Sequence, residues 1–421
     1  MSIRFVLEPA RKTQIEASYD LIVIGGGFAG VSAALAGARN SAKTLLIEKQ
    51  YALGGLGTLG LIVDYLPLCD GNGTQMIGGI GEELLHASIL FGPGEIPACW
   101  RSGKDPEAQK HHRYELTYAP APMMIAMEQL LRDAGVEILY DCRFAGGIKN
   151  DGQIETVLCE TKTGRMAFAC KAVVDATGDA DVCFSTGECT FERMDNVCAW
   201  WFYSYDGTTL RLNRKSDSFY AHSDSAIYYS GTDPRQITAL CMESRRRTQT
   251  YLSGINSGCG SVYSNSTLSH DGSKTLCDDP ERRDVPIYAA ILPTIPGLRM
   301  TRRLVGRSEL RESDEGIWFS DAVGMAGDWR KHGPRYCIPL SILCAQNAHN
   351  LLAAGRCVSA AGTAWDILRV IPVCAVTGEA AGTAAAMAAL KHSGRIAALP
   401  IKRLQQQLVA QGVLLNRALF R

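Results

Sequence analysis

The sequence predicts an α/β fold, a parallel sheet with a three-stranded antiparallel crossover and an inserted α+β region, on three observations. An apolar run at 19–24 enters a cluster of glycines, continues as an Ala- and Ser-rich segment at 31–39, and is followed by a second apolar run at 44–47. Strand-like runs then recur at 136–140, 143–148, 153–159, 166–170 and 171–176, separated by turn residues. From 191 to about 292 Ser, Tyr, Arg, Asp and Asn dominate, and strand and helix signals return only at 299.

The first unit reads as strand, helix, strand, about 30 residues in all. Residues 19–24 are apolar and partly β-branched, 31–39 are helix-forming, and 44–47 form a second strand that ends at Glu48. A glycine-rich loop at 53–60 follows, then an irregular stretch to about Gly79 and a helix candidate at 81–90. Residues 91–118 are polar, with Pro, Gly and His, and are expected to run over the surface. Residues 120–134 read as a helix with proline near its start.

Asn150-Asp151-Gly152 and Thr163-Gly164 supply turns between the next strand candidates, and Thr177-Gly178-Asp179 closes the buried run at 171–176. Within the insert, helical periodicity is confined to 235–250. The chain ends in a long Ala-rich helix at 373–391 and an amphipathic one at 401–411. The expected organisation is a nucleotide-binding domain from 19–190 and 295–395, a substrate or cap domain at 191–294, and a C-terminal helix within 396–421. No internal repeat or low-complexity segment interrupts it.

Composition narrows the function. Among 421 residues, 43 Lys and Arg balance 43 Asp and Glu, so no basic surplus points to nucleic acid. Hydrophobic content of 46% with 20% charged residues suits a globular chain with a large core. The 15 cysteines contain no CxxC pair, which argues against a zinc framework and a dithiol relay; most are expected to be reduced, buried fillers. No metal ligand set is expected. The N-terminal residues lack a signal-peptide core. The most apolar stretch, 370–390, carries Glu379 and many Ala and Gly, so it is expected to pack inside the protein rather than span a membrane. The expected setting is cytoplasmic, with a small-molecule substrate, no nucleic-acid or membrane partner, and self-association left open.

The glycine cluster has the spacing Gly25-x-Gly27-Phe28-Ala29-Gly30, between a strand and a helix. The first glycine permits a tight turn, the second lets backbone approach a pyrophosphate, and the third lets helix and strand pack closely. The helix N-terminus then offers free N–H groups and the positive end of its dipole. Glu48, about 18 residues beyond Gly30, is placed to accept hydrogen bonds from an adenosine ribose, with Lys49 beside it. This is a Rossmann-like dinucleotide site.

Later segments favour FAD over NAD. Gly54-Gly55-Leu56-Gly57-Thr58 is a flexible backbone track, and Ala176-Thr177-Gly178-Asp179 ends a buried strand in a glycine turn. Residues 350–354 form another strand ending in Gly355-Arg356. Arg369-Val370-Ile371-Pro372 then opens a long helix whose N-terminus can stabilise negative charge at the pyrimidine end of a reduced flavin.

The succession GGGxAG, Glu48, GGxGT, ATGD, RRLVG, NLLxAGR and RVxPxCAxxGxAAGTAAA resembles the FAD-dependent oxidoreductase family, with the glutathione-reductase-type FAD fold that fumarate reductases share. The resemblance covers 19 to about 185 and 295–390. It implies that Gly25, Gly27, Gly30, Glu48, Gly55, Thr58, Ala176, Gly178, Asp179, Gly355 and Arg356 line FAD. It also implies that Arg369, Pro372 and Gly378 set the helix facing the flavin ring. The chain has no second GxGxxG for a built-in NAD(P)H domain. Between 53 and 79 it has no histidine to carry a covalent flavin, so the FAD is expected to be non-covalent.

Catalytic candidates are cationic groups that fix an anionic substrate and a group that moves a proton. Arg302 and Arg303, in Arg-Arg-Leu-Val-Gly, suit the first task. His332, in Asp328-Trp329-Arg330-Lys331-His332, suits the second. His111, His112 and Arg113 are candidates for an entrance, and Tyr336 and Cys337 are weaker ones. The leading reading is a two-electron oxidoreduction of an unidentified small molecule. Alternatives are a structural or non-redox flavin, as in thiazole formation or tRNA modification, and electron delivery to a partner protein.

Overall fold

Strand β1 (Ile15–Ile24) runs through the centre of the sheet, and its last four residues are buried on both faces, as expected where helices cover a parallel sheet. The computed structural model describes residue 6 and residues 9–101, 105–217, 227–256 and 287–421. Helix α1 (Phe28–Arg39) returns the chain to β2 (Thr44–Ile47), parallel to β1 with Leu21 opposite Thr44. Strand β3 (Glu137–Leu139) extends the sheet beyond β2.

The three-stranded crossover is present as β4 (Arg143–Asn150), β5 (Gln153–Thr161) and β6 (Gly164–Asp175). The runs at 166–170 and 171–176 are one strand, because no turn residue separates Cys170 from Lys171. The first half of β6 pairs antiparallel with β5, while its second half lies parallel to β7 (Leu351–Ala353); β1 pairs with it along most of its length. The fold is therefore Rossmann-like α/β, with early and late segments joined in one sheet.

The described residues of 91–118 run mostly over the surface, as expected, with Ile96 and the last few residues as the exceptions. They hold two short helices, Ala98–Arg101 and Pro106–His111, but the stretch ends with Tyr114, Leu116 and Tyr118 buried. The Tyr118 hydroxyl donates to the Gly57 carbonyl at 2.7 Å, which fastens this segment under the glycine-rich loop. The insert is α+β: strands Phe202–Tyr205, Leu210–Asn213 and Tyr288–Ile291 form an antiparallel sheet beside the helix Pro234–Asn256. Cys198, Trp200, Phe202, Leu240, Leu252 and Leu298 form its separate core. Its residues 218–226 and 257–286 lie outside the described residues. The thirteen described cysteines are free thiols, most of them buried.

Helix α2 (Ile371–Lys391) is long and apolar enough to cross a membrane, yet nearly all of it is buried in this protein. Its Ala and Gly content serves close packing across α1. A Cβ added at Gly378 would stand 2.1 Å from the Ala29 carbonyl oxygen, and one at Gly382 equally close to that of Ala33. Larger side chains would hold the helices apart.

Glu379 is the one charged residue in this packed stretch before Lys391, and its carboxylate accepts from the Ile80 N–H at 2.9 Å. Burial, with a smaller push from Glu83, raises its carboxyl from 4.5 to about 8. The folded chain thus keeps a proton that the unfolded chain releases near pH 4.5, and stability falls as pH rises from there to about 8. Glu379→Gln is expected to match the wild type near pH 5 and to exceed it by one to a few kcal/mol, roughly, above pH 8. Urea unfolding at the two pH values checks the sign.

Candidate active site

A cleft of about 420 Å³ runs along the carboxyl ends of the parallel strands, where open α/β sheets bind their ligands. At one end the chain leaves β1 through a turn that only glycine suits. Gly25 has φ +100°, and a Cβ there would stand 2.5 Å from the Ala176 carbonyl oxygen. A Cβ at Gly30 would meet the Gly25 carbonyl oxygen at 1.7 Å, so this residue sets how closely α1 lies on the strand. Gly27 faces open space, a cradle that a side chain would fill. Helix α1 has no side-chain cap and no acidic residue in its first turn, so its positive end is presented to the cleft.

Glu48 ends β2 at the cleft wall. One carboxylate oxygen accepts from the Gly26 N–H at 2.5 Å and the other from the Gln50 N–H at 2.7 Å, which fixes the carboxylate beside the glycine turn. Both oxygens retain acceptor capacity for a ribose diol. Glu48→Ala is expected to weaken FAD binding by about tenfold to a hundredfold, the usual worth of a charge-assisted pair. Titration of apoprotein with FAD by flavin fluorescence measures it.

At mid-cleft, Arg356 lies across Gly178, its guanidinium 2.5 Å from where a Cβ would be. It donates to the Leu298 carbonyl at 2.9 Å and to that of Arg299 at 3.2 Å, and it approaches Asp179 at 3.4 Å. One side chain thus ties the loop after β6, the turn after β7 and the edge of the inserted domain together. The far end is walled by Arg299, Arg369, Asp64 and the start of α2. This helix, too, has no side-chain cap and no acid in its first turn. Asp366 accepts from Arg369 at 2.8 Å and lies 3.4 Å from Arg330. Cys374 lines the floor; burial pushes its thiol up to about 12, so it is a neutral group.

Of the residues predicted for the cofactor, Gly25, Gly27, Phe28, Ala29, Glu48, Lys49, Gly54, Gly55, Ala176, Thr177, Gly178, Asp179, Gly355, Arg356, Arg369 and Val370 line this cleft. Gly30, Thr58, Pro372 and Gly378 stand behind it. Thr58 is buried and donates to the Leu53 carbonyl at 2.5 Å, and Pro372 occupies the first turn of α2.

The three catalytic candidates are not at the cleft. Arg302 donates to the Asp179 carbonyl at 2.8 Å and to Asp181 at 2.7 Å, and lies 4.1 Å over the Phe184 ring. Arg303 is held by Glu309 at 2.5 Å between Phe191 and Trp365. Both belong to a strand, Arg302–Leu304, paired with Thr190–Glu192, and their charges are used in holding it. His332 is exposed, its Nδ1 2.6 Å from the Gly71 carbonyl. His111 and His112 are exposed away from the cleft, Arg113 donates to the Trp329 carbonyl at 2.6 Å, and Tyr336 and Cys337 are buried in the strand Arg335–Pro339. Besides Arg356 and Arg369, the cleft is lined by two arginines that sequence reasoning missed, Arg143 and Arg299, the latter three residues before Arg302; the one sequence signal for Arg299 was its place after Pro296-Gly297.

Two uncapped helix ends and an open glycine cradle supply donors, and the acidic residue at the end of β2 supplies an acceptor, an arrangement suited to FAD. The family comparison agrees. A family model described as FAD dependent oxidoreductase matches residues 20–199 and 190–408. Among solved structures, a geranylgeranyl bacteriochlorophyll reductase-like protein from Thermoplasma acidophilum aligns over 94% of this chain and 83% of its own, at 12% identity and a TM-score of 0.43. The p-nitrophenol 4-monooxygenase PnpA from Pseudomonas putida DLL-E4 aligns over 94% and 84%, at 13% and 0.43. A flavocytochrome c3 fumarate reductase in its open conformation aligns over 90% and 79%, at 14% and 0.42. The family match spans nearly the whole chain: this protein belongs to the FAD dependent oxidoreductases, and FAD is its cofactor.

Proposed function

We propose that the protein carries out a two-electron hydride transfer between a non-covalently held FAD and a small molecule bound where the FAD domain meets the inserted domain. The observation that carries this reading is the continuity of the cleft, which runs from Glu48 past Arg356 to a wall supplied by Thr294, Pro296 and Arg299. FAD, when bound, supplies the two-electron acceptor or donor. The N-terminus of α2 favours negative charge at that end of the cleft. The Thr294 N–H donates to the Leu59 carbonyl at 2.9 Å, which ties the edge of the inserted domain to the glycine-rich loop. Non-covalent binding is supported by the absence of histidine from 53–79; Cys69, in the same stretch, is buried against the Tyr114 N–H.

Anaerobic photoreduction followed by a panel of small-molecule acceptors tests the proposal. Rapid re-oxidation by at least one small acceptor is expected. A flavin that none of them re-oxidises counts against it.

A further inference from the structure

Cys142 stands on the cleft wall at the Glu48 end, and its thiol is hydrogen-bonded to that of Cys159. Cys142 leads into β4, and Cys159 lies within β5, where the register puts it opposite Phe144. Residues two apart on a strand share a face, so Cys142, Phe144 and Cys159 point into one core. The Cys159 thiol donates to Cys142; this bond holds the Cys142 thiol below its usual range and, with burial, pushes the Cys159 thiol up. Both residues are buried from bulk solvent, which leaves the cleft as the way to them. Cys374, at the far end of the cleft, instead donates to the Arg369 carbonyl at 3.1 Å. The backbone ties Cys142 to the cofactor site: its N–H donates to the Glu48 carbonyl at 3.1 Å, and that of Asp141 to the Gln50 carbonyl at 3.4 Å.

We propose that Cys142 and Cys159 form a modification site: with the cleft free of FAD, hydrogen peroxide oxidises the pair to a disulfide, and the disulfide weakens FAD rebinding. The Cys142 thiolate attacks one peroxide oxygen, the O–O bond breaks, and Cys142 becomes a sulfenic acid; the departing hydroxide takes the proton that Cys142 gave up and leaves as water. The Cys159 sulfur then attacks the Cys142 sulfur, the S–O bond breaks, and a second water leaves with the Cys159 proton. Two thiols lose two electrons and two protons, and one peroxide becomes two waters. FAD held at Glu48 occupies the space in front of Cys142 and closes the route. The bond alters the site because Cys159 is fixed in a strand paired on both sides, by β4 and β6, whereas Cys142 lies outside the ladder. Shortening a thiol contact to a bond of about 2.05 Å draws Cys142 toward β5 and away from the Glu48 carbonyl. The proposal needs only the FAD cleft and is independent of hydride transfer.

The full chain, either saturated with FAD or stripped of it, is treated with hydrogen peroxide; its remaining thiols are alkylated, and a digest made without reductant is read by mass spectrometry. A Cys142–Cys159 cross-link, reversed by dithiothreitol, is expected to form about tenfold or more faster in the stripped protein, while Cys183 and Cys357, buried in the same core, stay reduced. Cys159→Ser is expected to stop at a sulfenic acid on Cys142, trapped by dimedone, and Cys142→Ser to leave Cys159 reduced. Fluorescence titration of the oxidised, stripped protein is expected to give FAD binding about threefold to tenfold weaker than after reduction, the worth of one hydrogen bond. The proposal is overturned if no such cross-link forms, if it forms at one rate with and without FAD, or if oxidised and reduced protein bind FAD alike. Reaction of Cys183 and Cys357 at the same rate overturns it too, because unfolding rather than the cleft would then expose the thiols.

Discussion

Gly30→Val yields a chain that no longer retains FAD. The first carbon of any side chain at this position would stand 1.7 Å from the Gly25 carbonyl oxygen, a backbone atom that cannot swing aside. The strand-to-helix turn must open, and the N-terminus of α1 moves off the cleft. Overpacking of this kind costs about 1–3 kcal/mol even where neighbours are flexible, and here it falls on the groups that bind the cofactor. FAD affinity is expected to drop by more than about a hundredfold, which is roughly 2.7 kcal/mol or more. Flavin content after desalting measures it. Gly27→Ala separates binding from folding: its added carbon meets no protein atom, so the variant should unfold at the wild-type urea concentration while binding FAD poorly.

Gly378→Leu is expected to act on the whole domain. Helices α1 and α2 touch through their backbones at this point, with the Ala29 carbonyl oxygen 2.1 Å from where a Cβ would sit. Separating them opens the largest core and parts the two positive helix ends that frame the cleft. We expect a loss of roughly 3 kcal/mol or more in unfolding free energy, at the severe end for single substitutions, together with loss of flavin. Urea denaturation of the apoprotein, followed by circular dichroism, reads the first. An apoprotein as stable as the wild type would mean that the helices do not approach this closely.

The elements legible in the sequence are those whose signal is local. The run into Gly25, the Ala-rich helix after it and the acidic end of β2 lie within some thirty residues, and glycine spacing states the geometry directly. Arg356 was legible as a strand-terminal residue, though its bridge to Leu298 and Arg299 was not. Strand β6 reads as two strands because its halves have different partners, one in the crossover and one in the parallel sheet, and partners are not written in a local pattern. The doublet Arg302 and Arg303 drew attention as charge beside a return to the FAD domain. Its place in the structure depends on Asp181, 121 residues away from Arg302, and on pairing with Thr190–Glu192. Arg299, two residues after Pro296-Gly297, reaches the cleft because Arg356 holds the Leu298 and Arg299 carbonyls against the turn after β7, a long-range fact that spacing does not carry. The burial of Tyr114 and Tyr118 escaped for the same reason: the segment is polar on average, and only its last residues meet the core.

The most direct test of the account is the absorption spectrum of the purified, desalted protein, followed by chromatography of whatever acid precipitation releases. The account predicts flavin bands on the intact protein and free FAD in the supernatant. A colourless protein that takes up no FAD on incubation, or a flavin that remains on the precipitated chain, would contradict it.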